Sequence, residues 1–325
     1  MDYMRNDTIE ESFNLALHDI NFFLQQQGQQ CSFFNLPQST GNRPERQAFD
    51  SVTEAEQSYR LINTLNPQQF IAFQKIQRAM DFQQINERCF FLDGPGGSGK
   101  TYLYNTLMSF VRGRQQVVLP FATTGIAATL MKGGRTVHSG FKLPVPLDET
   151  SVSKVKQDSP EADLFRKSIL IIIDEVTMLP KHGYRCTDMI LRELMKCDIP
   201  FGGKVVVIGG DFRQTLPVVP RVNEVDVIQT CIKSSELWRH FVQLPLLTNM
   251  RSEGQNLFNQ WLLDVGAGAV VLNELNQPGI IMIPQEMIIH EDIITSVFGT
   301  CLASFPIEEL VKKLFCALKT QMRLK

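Results

Sequence analysis

Eight consecutive residues, Gly94 to Thr101, have the types and the spacing of a phosphate-binding loop. They match G-x-x-x-x-G-K-[ST] in full and lie between an apolar run and a helical pattern. Glycines let backbone N–H groups turn towards phosphates at a helix N-terminus, where the helix dipole favours anions. Lys100 is expected to reach the β- and γ-phosphates of ATP, and Thr101 to bind Mg²⁺. A plain glycine turn would need neither residue. The predicted nucleotide-binding residues of the loop are Gly94, Gly96, Gly97, Ser98, Gly99, Lys100 and Thr101.

Two adjacent acids, Asp174 and Glu175, follow the apolar run Ile169–Ile173. Carboxylates at the carboxyl edge of a parallel sheet face its ligand crevice. Asp174 is therefore expected to hold Mg²⁺, and Glu175 to polarise the attacking water as a general base. Adjacent acids after a strand also cap helices, which is the open alternative. Together with the phosphate loop, the pair favours hydrolysis of a nucleoside triphosphate over binding alone.

Short apolar runs alternate with longer segments through the middle of the chain. This rhythm predicts an α/β fold in which helices cover both faces of an open parallel sheet. Pro120 fits poorly in its strand, because proline donates no hydrogen bond to a sheet. Asn66 and Pro67 have the types of a helix N-cap and first helical residue. The predicted strands are Cys89–Leu92, Val117–Phe121, Ile169–Ile173 and Val205–Ile208.

Composition limits the classes of protein further. The 325 residues contain 7 scattered cysteines and carry a formal net charge of −2. We expect no disulfide framework, no structural metal, no membrane span and no targeting segment, hence a reducing intracellular compartment. The strings L-S-G-G-Q and N-K-x-D do not occur, which argues against ABC-type ATPases and GTPases. From Gly94 to Leu147 there are six basic residues and no acid. That stretch predicts either a groove for a nucleic-acid backbone or an ordinary solvated surface.

With these residues assembled, the chain resembles the Pif-type (petite integration frequency) superfamily-one DNA helicases, and among them the helicase portion of Helitron transposons. The resemblance covers roughly residues 60–300. It implies a RecA-like P-loop fold and a 5′-to-3′ ATP-dependent DNA helicase of the kind used in repair, recombination and telomere maintenance. Besides the phosphate loop, the matching stretches are Leu65–Gln69, Ala122–Ala128, Gly134–Phe141, Ile173–Met178, Gly209–Pro217 and Leu247–Arg251.

The resemblance also implies roles for single residues. Gln69 would read the adenine base, although Asn66 and Gln69 also have the spacing of a capping box. Gln214 would couple the presence of the γ-phosphate to the strength of DNA binding. Arg251 would contact the γ-phosphate, with a surface ion pair as the alternative. An ordinary structural histidine remains the alternative for His138. The residues expected to touch single-stranded DNA are Thr123, Thr124, His138 and Phe141.

The sequence predicts an N-terminal helix and polar arm over 1–60, a RecA-like domain over 61–255, and a linker with the start of a second motor domain over 256–325. In the family that second domain completes the ATP cleft and adds an arginine. Apolar residues from Ile307 to Leu318 have helical spacing and predict a helix, whereas the resemblance implies a strand near Leu314–Thr320; a divergent tail on a truncated copy would explain both. An arginine finger is worth about 10³ to 10⁵ in turnover, so slow hydrolysis is expected.

The expected partners are single-stranded DNA and duplex junctions, bound by a monomer in the nucleus, with the mitochondrion as the alternative compartment. The alternative function is a non-catalytic, Helitron-derived copy that binds nucleotide or DNA.

Overall fold

A computed structural model of the chain describes residues 13–14, 16–18, 20–21, 30–40, 49–82, 86–217, 224–252, 254–269, 281, 283 and 288. The helices are α1 Ser51–Asn63, α2 Pro67–Asp81, α3 Lys100–Gly113, α4 Gly125–Thr129, α5 Val137–Gly140, α6 Pro160–Lys167, α7 Lys181–Met195, α8 Glu224–Thr230 and α9 Asn256–Ala267. The strands are β1 Cys89–Asp93, β2 Val117–Ala122, β3 Arg135–Thr136, β4 Ser168–Asp174, β5 Val205–Gly210 and β6 Phe241–Pro245. Short 3-10 helices are Cys31–Phe34, Val176–Met178, Pro200–Gly203, Ile232–Ser234 and Glu236–His240.

The six strands form one sheet in the order β3-β2-β4-β5-β1-β6, and every pair is parallel. Strand residues alternate between two buried clusters. Ile171 and Ile173 belong to one cluster, whereas Leu170 and Ile172 belong to the other. Such alternation places helices over both faces, which is why these strands are apolar almost throughout. The predicted parallel α/β sheet with helices on both faces is confirmed, and all carboxyl ends meet at one edge.

Pro120 lies inside β2 and pairs in register with Ile172 of β4. On the opposite side of β2, β3 pairs only with Phe121 and Ala122. On that side of β2, Pro120 therefore has no neighbouring strand with which to form hydrogen bonds. A proline, which has no N–H, is tolerated at an edge position of this kind.

Residues 51–63 form a full helix, so the polar arm predicted at the end of the 1–60 region is wrong for residues 51–60. The Asp50 carboxylate caps α1 by accepting the N–H of Thr53 at 3.0 Å. Near its C-terminus α3 touches α1, because a Cβ on Gly113 would stand 2.7 Å from Ala55 Cα. Sequence reasoning missed α1 because the helix has no apolar buried stripe. Its buried residues are the polar Glu54 and Ser58, whereas Val52 and Tyr59 are exposed.

The predicted N-terminal helix is helical at the seven described positions among residues 13–21. The helical pattern after Ile307 lies outside the described residues.

The chain divides into two compact units, Met1–Asn259 and Gln260–Lys325. No helix of the described part is long and apolar enough to cross a membrane.

Candidate nucleotide-binding site

The loop between β1 and α3 has the backbone that its glycines allow. Gly97 and Gly99 have φ values of 90° and 80°, which residues with a Cβ rarely adopt, and α3 begins at Lys100. The Lys100 ammonium donates to the carbonyl oxygens of Gly94 at 2.6 Å and Pro95 at 3.3 Å. The lysine side chain therefore curls back over the loop, and its contact with phosphates stays a prediction.

The donors around this loop fit a polyphosphate. Ser98 Oγ is buried and has no hydrogen-bond partner among the described residues. A buried hydroxyl normally has a partner, and its absence points to a group that the protein alone does not supply. A lysine ammonium, a helix N-terminus and this hydroxyl together form a donor set for phosphate oxygens.

Asp174 ends β4, and its side chain is 5% exposed. Burial, followed by repulsion from Glu175, raises the pKa of Asp174 to about 6, while the charge of Lys100 acts in the opposite direction. With a pKa of about 6 the carboxyl is mostly ionised at pH 7, and it lies close enough to Lys100 for the lysine charge to stabilise the carboxylate. A carboxylate here and the Thr101 hydroxyl at the start of α3 are the oxygen ligands that Mg²⁺ prefers.

Tyr104 is a site residue that sequence reasoning missed. It is fully buried on α3, and its hydroxyl donates to Asp174 Oδ1 at 3.1 Å. To reach β4 the ring passes over β5 at Gly209. A Cβ added to Gly209 would overlap the Tyr104 hydroxyl, so only glycine leaves room for the ring. Burial and the charge of Asp174 raise the pKa of Tyr104 well above its usual value, so the hydroxyl keeps its proton and donates. A tyrosine at an inward helical position looks like core in a sequence.

Replacing Gly209 by alanine is expected to lower the free energy of unfolding by about 1–3 kcal/mol, the usual cost of overpacking. The added methyl would displace the Tyr104 hydroxyl and break its bond to Asp174. Urea unfolding measures the loss. Gly125→Ala is the matched control, because a Cβ there meets nothing within 4 Å. Equal stability of the two variants would contradict the assigned contact.

Glu175 follows Asp174 in a left-handed conformation, with φ 55° and ψ 43°, and precedes the 3-10 helix Val176–Met178. Its side chain makes no capping hydrogen bond to that helix. The helix-capping alternative for Glu175 is therefore wrong. The half-buried carboxylate lies close enough to Asp174 to raise the pKa of that neighbour.

Gln214 lies beside the phosphate loop, after β5. Its Nε2 donates to Asp211 Oδ2 at 3.0 Å and stands 3.6 Å from the position of a Cβ on Gly96. Asp211 is buried, yet hydrogen bonds from Arg213 and Gln214 outweigh burial and lower the pKa of its carboxyl. Asp211 thus holds the amide next to the loop, a role that the sequence did not reveal.

The segment after β6 brings Arg251 to the same loop. A Cβ on Gly97 would stand 3.0 Å from Arg251 Cβ and 2.6 Å from Asn249 Oδ1. The carbonyl oxygen of Gly97 accepts the N–H of Met250 at 2.8 Å. Gly97 and Arg251 are 154 positions apart in the chain and therefore meet only because β6 lies beside β1. Asn249, within a stretch that the sequence singled out, is a further contact that was not predicted.

Gln69 is buried at the first turn of α2 and completes a capping box. Its Oε1 accepts the N–H of Asn66 at 3.0 Å, and its own N–H donates to Asn66 Oδ1 at 2.9 Å. Its Nε2 donates to the carbonyl oxygen of Ser98 at 3.3 Å. The capping alternative is what the structure shows. Adenine recognition by Gln69 stays a prediction, and it requires the amide to exchange these partners.

The residues predicted to touch DNA divide into two groups. Thr123, Thr124 and His138 are partly exposed. Phe141 is fully buried, with its ring centre 4.6 Å from that of Phe165. Its prediction as a residue that touches single-stranded DNA is wrong for the side chain, because a ring inside the core presents no face to a base.

The acid-free stretch from Gly94 to Leu147 is not an acid-free surface. Acids from other parts of the fold pair with its cations: Lys132 with Glu54 at 3.3 Å, Arg114 with Asp81 at 2.6 Å and Lys142 with Glu161 at 3.2 Å. Arg112 is buried, and its guanidinium lies 3.6 Å from the centre of the Phe49 ring. These pairings favour the ordinary solvated surface for this stretch, and a nucleic-acid groove along it stays a prediction.

Comparisons with known proteins agree with this geometry. A family profile described as PIF1-like helicase matches residues 64–276, more than half of the chain. The ATP-dependent DNA helicase Pif1 of Psychrobacter sp. is 38% identical over 133 residues, which are 40% of this chain and 20% of that protein.

Two solved structures are similar. The first shows two coordinating Pif1 helicases that unwind forked double-stranded DNA (TM-score 0.53, 26% identity, 63% of this chain and 49% of that one). The second is Pif1 from Bacteroides in complex with ADP-AlF3 and single-stranded DNA (TM-score 0.50, 27% identity, 63% and 50%). The chain thus spans a fifth of the Psychrobacter relative and about half of each solved chain. Because the profile match runs from Thr64 through the segment after β6, it includes every strand end that lines the site, and the chain belongs to the PIF1-like helicase family.

Proposed function

We propose that this chain is a first motor domain that binds ATP and hydrolyses it to drive 5′-to-3′ movement on single-stranded DNA and unwinding of duplex DNA. The observation that carries the proposal is the meeting of Lys100, Asp174 and Arg251 around one glycine loop. The Bacteroides relative, in complex with ADP-AlF3 and single-stranded DNA, supports the same pair of ligands.

Binding follows from the donors of the loop. The N–H groups at the start of α3 and the Lys100 ammonium would hold the β- and γ-phosphates in exchange for the carbonyl contacts that Lys100 now makes. Thr101 and Asp174 would hold Mg²⁺, which when bound neutralises charge on the β- and γ-phosphate oxygens. Tyr104 keeps the Asp174 carboxylate in one orientation.

Hydrolysis requires a water molecule aimed at the γ-phosphorus. Glu175 would orient that water and accept its proton as the new P–O bond forms and the bond to the ADP oxygen breaks. Gln214 would hold the water or the γ-phosphate from the loop after β5. Arg251, beside Gly97, would offset the negative charge of the transition state.

The loop after β2 connects this chemistry to the proposed DNA side. The N–H of Thr123 donates to the carbonyl oxygen of Asp174 at 3.0 Å, and its hydroxyl reaches the same oxygen at 3.4 Å. Thr124 caps α4 through the N–H of Ala127 at 3.2 Å. A shift of Asp174 on nucleotide binding would therefore reach Thr123 directly, and Thr124 through its neighbour in the chain.

Calorimetry with Mg·ATP and a turnover assay with and without single-stranded DNA test the proposal. We expect saturable binding of Mg·ATP and a turnover that single-stranded DNA increases. Folded protein that binds no Mg·ATP would refute the motor function. Turnover that is independent of DNA would leave an ATPase without the proposed coupling.

A further inference from the structure

Beyond the buried Leu246, the segment that carries Arg251 is held mainly by hydrogen bonds that its own N–H groups donate. Leu246 N–H donates to the carbonyl oxygen of Asp93 at 2.7 Å, and Met250 N–H donates to that of Gly97 at 2.8 Å. Asn249 Oδ1 accepts the N–H of Arg251 at 2.9 Å. Side-chain burial fixes the start of the segment at Leu246, which is 1% exposed, but contributes little beyond it, since Leu247 is 55% exposed and Met250 is 43% exposed. The position of Arg251 thus depends on a few hydrogen-bond acceptors.

One of these acceptors comes from another helix. Gln68 Oε1, in the first turn of α2, accepts the N–H of Leu247 at 2.8 Å and the N–H of Thr248 at 3.2 Å. The Thr248 hydroxyl reaches the same oxygen at 3.4 Å. A single side-chain oxygen therefore fixes the start of the bend that leads from β6 to Arg251.

The helix turn that presents Gln68 is itself fixed. Its neighbour Gln69 completes the capping box with Asn66 and donates to the carbonyl oxygen of Ser98 in the phosphate loop. Gln68 and Gln69 thus connect one rigid turn to both sides of the site. Gln69 reaches the phosphate loop, and Gln68 reaches the arginine segment.

We infer that Gln68 is a positioning residue that holds Arg251 where it meets the γ-phosphate. The inference rests on the proposed function. Gln68 makes none of its recorded contacts with the phosphate loop, so it acts through the segment Leu247–Arg251. Without the acceptor, two N–H groups lose their partner and the bend gains freedom, and Arg251 then meets the γ-phosphate in fewer of its conformations.

Calorimetry with two nucleotides separates this role from general support of the fold. The β,γ-imido analogue of ATP carries a γ-phosphate and resists hydrolysis, whereas ADP lacks that phosphate. The measured quantity is the ratio of the dissociation constants for ADP and the analogue, both with Mg²⁺. A merely structural role changes both constants alike and leaves the ratio constant.

Gln68→Met keeps the length and helix propensity of the side chain and removes the acceptor. We expect it to lower the ratio about three- to tenfold, the change that one net hydrogen bond supports. Gln68→Glu, which keeps an acceptor oxygen at the same place, should restore the ratio. Arg251→Ala should lower it at least as much, and adding Gln68→Met to Arg251→Ala should change it no further.

The outcomes are distinguishable. A wild-type protein that binds neither nucleotide refutes the proposed function and this inference with it. A ratio that falls in Arg251→Ala but equals the wild-type value in Gln68→Met refutes the inference alone. An unchanged ratio in Arg251→Ala also refutes the inference, because Arg251 then makes no contact with the γ-phosphate. Thermal unfolding of each variant confirms that it is folded.

Discussion

Replacing Glu175 by glutamine is expected to reduce ATP turnover about 10²- to 10⁴-fold, the usual contribution of a general base. Glutamine has nearly the same shape but cannot accept the proton of the attacking water at neutral pH. Nucleotide affinity should change little, since the donors for the phosphates belong to the loop around Lys100. Steady-state turnover and calorimetry of the same preparation measure the two quantities.

The matched control is Lys100→Ala, which removes a charge that the bound phosphates would meet. This variant is expected to lose both affinity for Mg·ATP and turnover. A loss of binding in Glu175→Gln, or wild-type turnover in Lys100→Ala, would contradict the roles given to the two residues. Glu175 also repels Asp174 and so helps to raise the pKa of that acid. Replacing Glu175 by glutamine should therefore lower the pKa of Asp174.

Much of this site was predictable because it lies at strand ends. In a parallel sheet every carboxyl end reaches one edge, so a motif that follows a strand is placed once the strand is recognised. The strands were recognisable because burial on both faces leaves no polar alternation. Lys100, Asp174 and Gln214 accordingly lie at that edge, next to strands that the sequence predicted, whereas Arg251 follows β6, a strand that was not predicted.

Contacts that depend on side-chain direction were not predictable. Tyr104 and Gln68 have the types expected of a core aromatic and an exposed helix residue. Their roles come from partners 70 and about 180 positions away in the chain. Pro120 and helix α1 illustrate the same point, since each depends on a neighbouring element whose position only the folded chain reveals.

Asp174 shows why such supporting contacts accumulate at the site. Its buried carboxylate is costly to ionise, which is the meaning of a pKa raised to about 6. The Tyr104 hydroxyl and the Lys100 charge offset part of that cost. The arrangement resembles a site built for a cation rather than one optimised for stability, because a hydrophobic residue at this position would bury without penalty.

Replacing Phe141 by alanine is expected to lower the free energy of unfolding by about 3–5 kcal/mol, the range for a buried phenylalanine. Its ring lies between Phe121, with centres 4.9 Å apart, and Phe165 at 4.6 Å, so the deletion opens a cavity in this cluster. Gly140 permits the packing, since a Cβ there would overlap the Phe121 ring. Urea unfolding measures the loss.

His138→Ala, three residues earlier and half-buried, is the matched control and should change stability far less. Phe141→Leu keeps most of the volume, so it should recover most of the stability and bind single-stranded DNA like the wild type. If the Phe141 ring instead stacked on a DNA base, both Phe141 variants would have near-wild-type stability and weakened DNA binding. That result would place the ring outside the core. Because the ring is fully buried between two others, we expect its removal to lower the stability of the protein. DNA binding should fall only in proportion to the protein that unfolds.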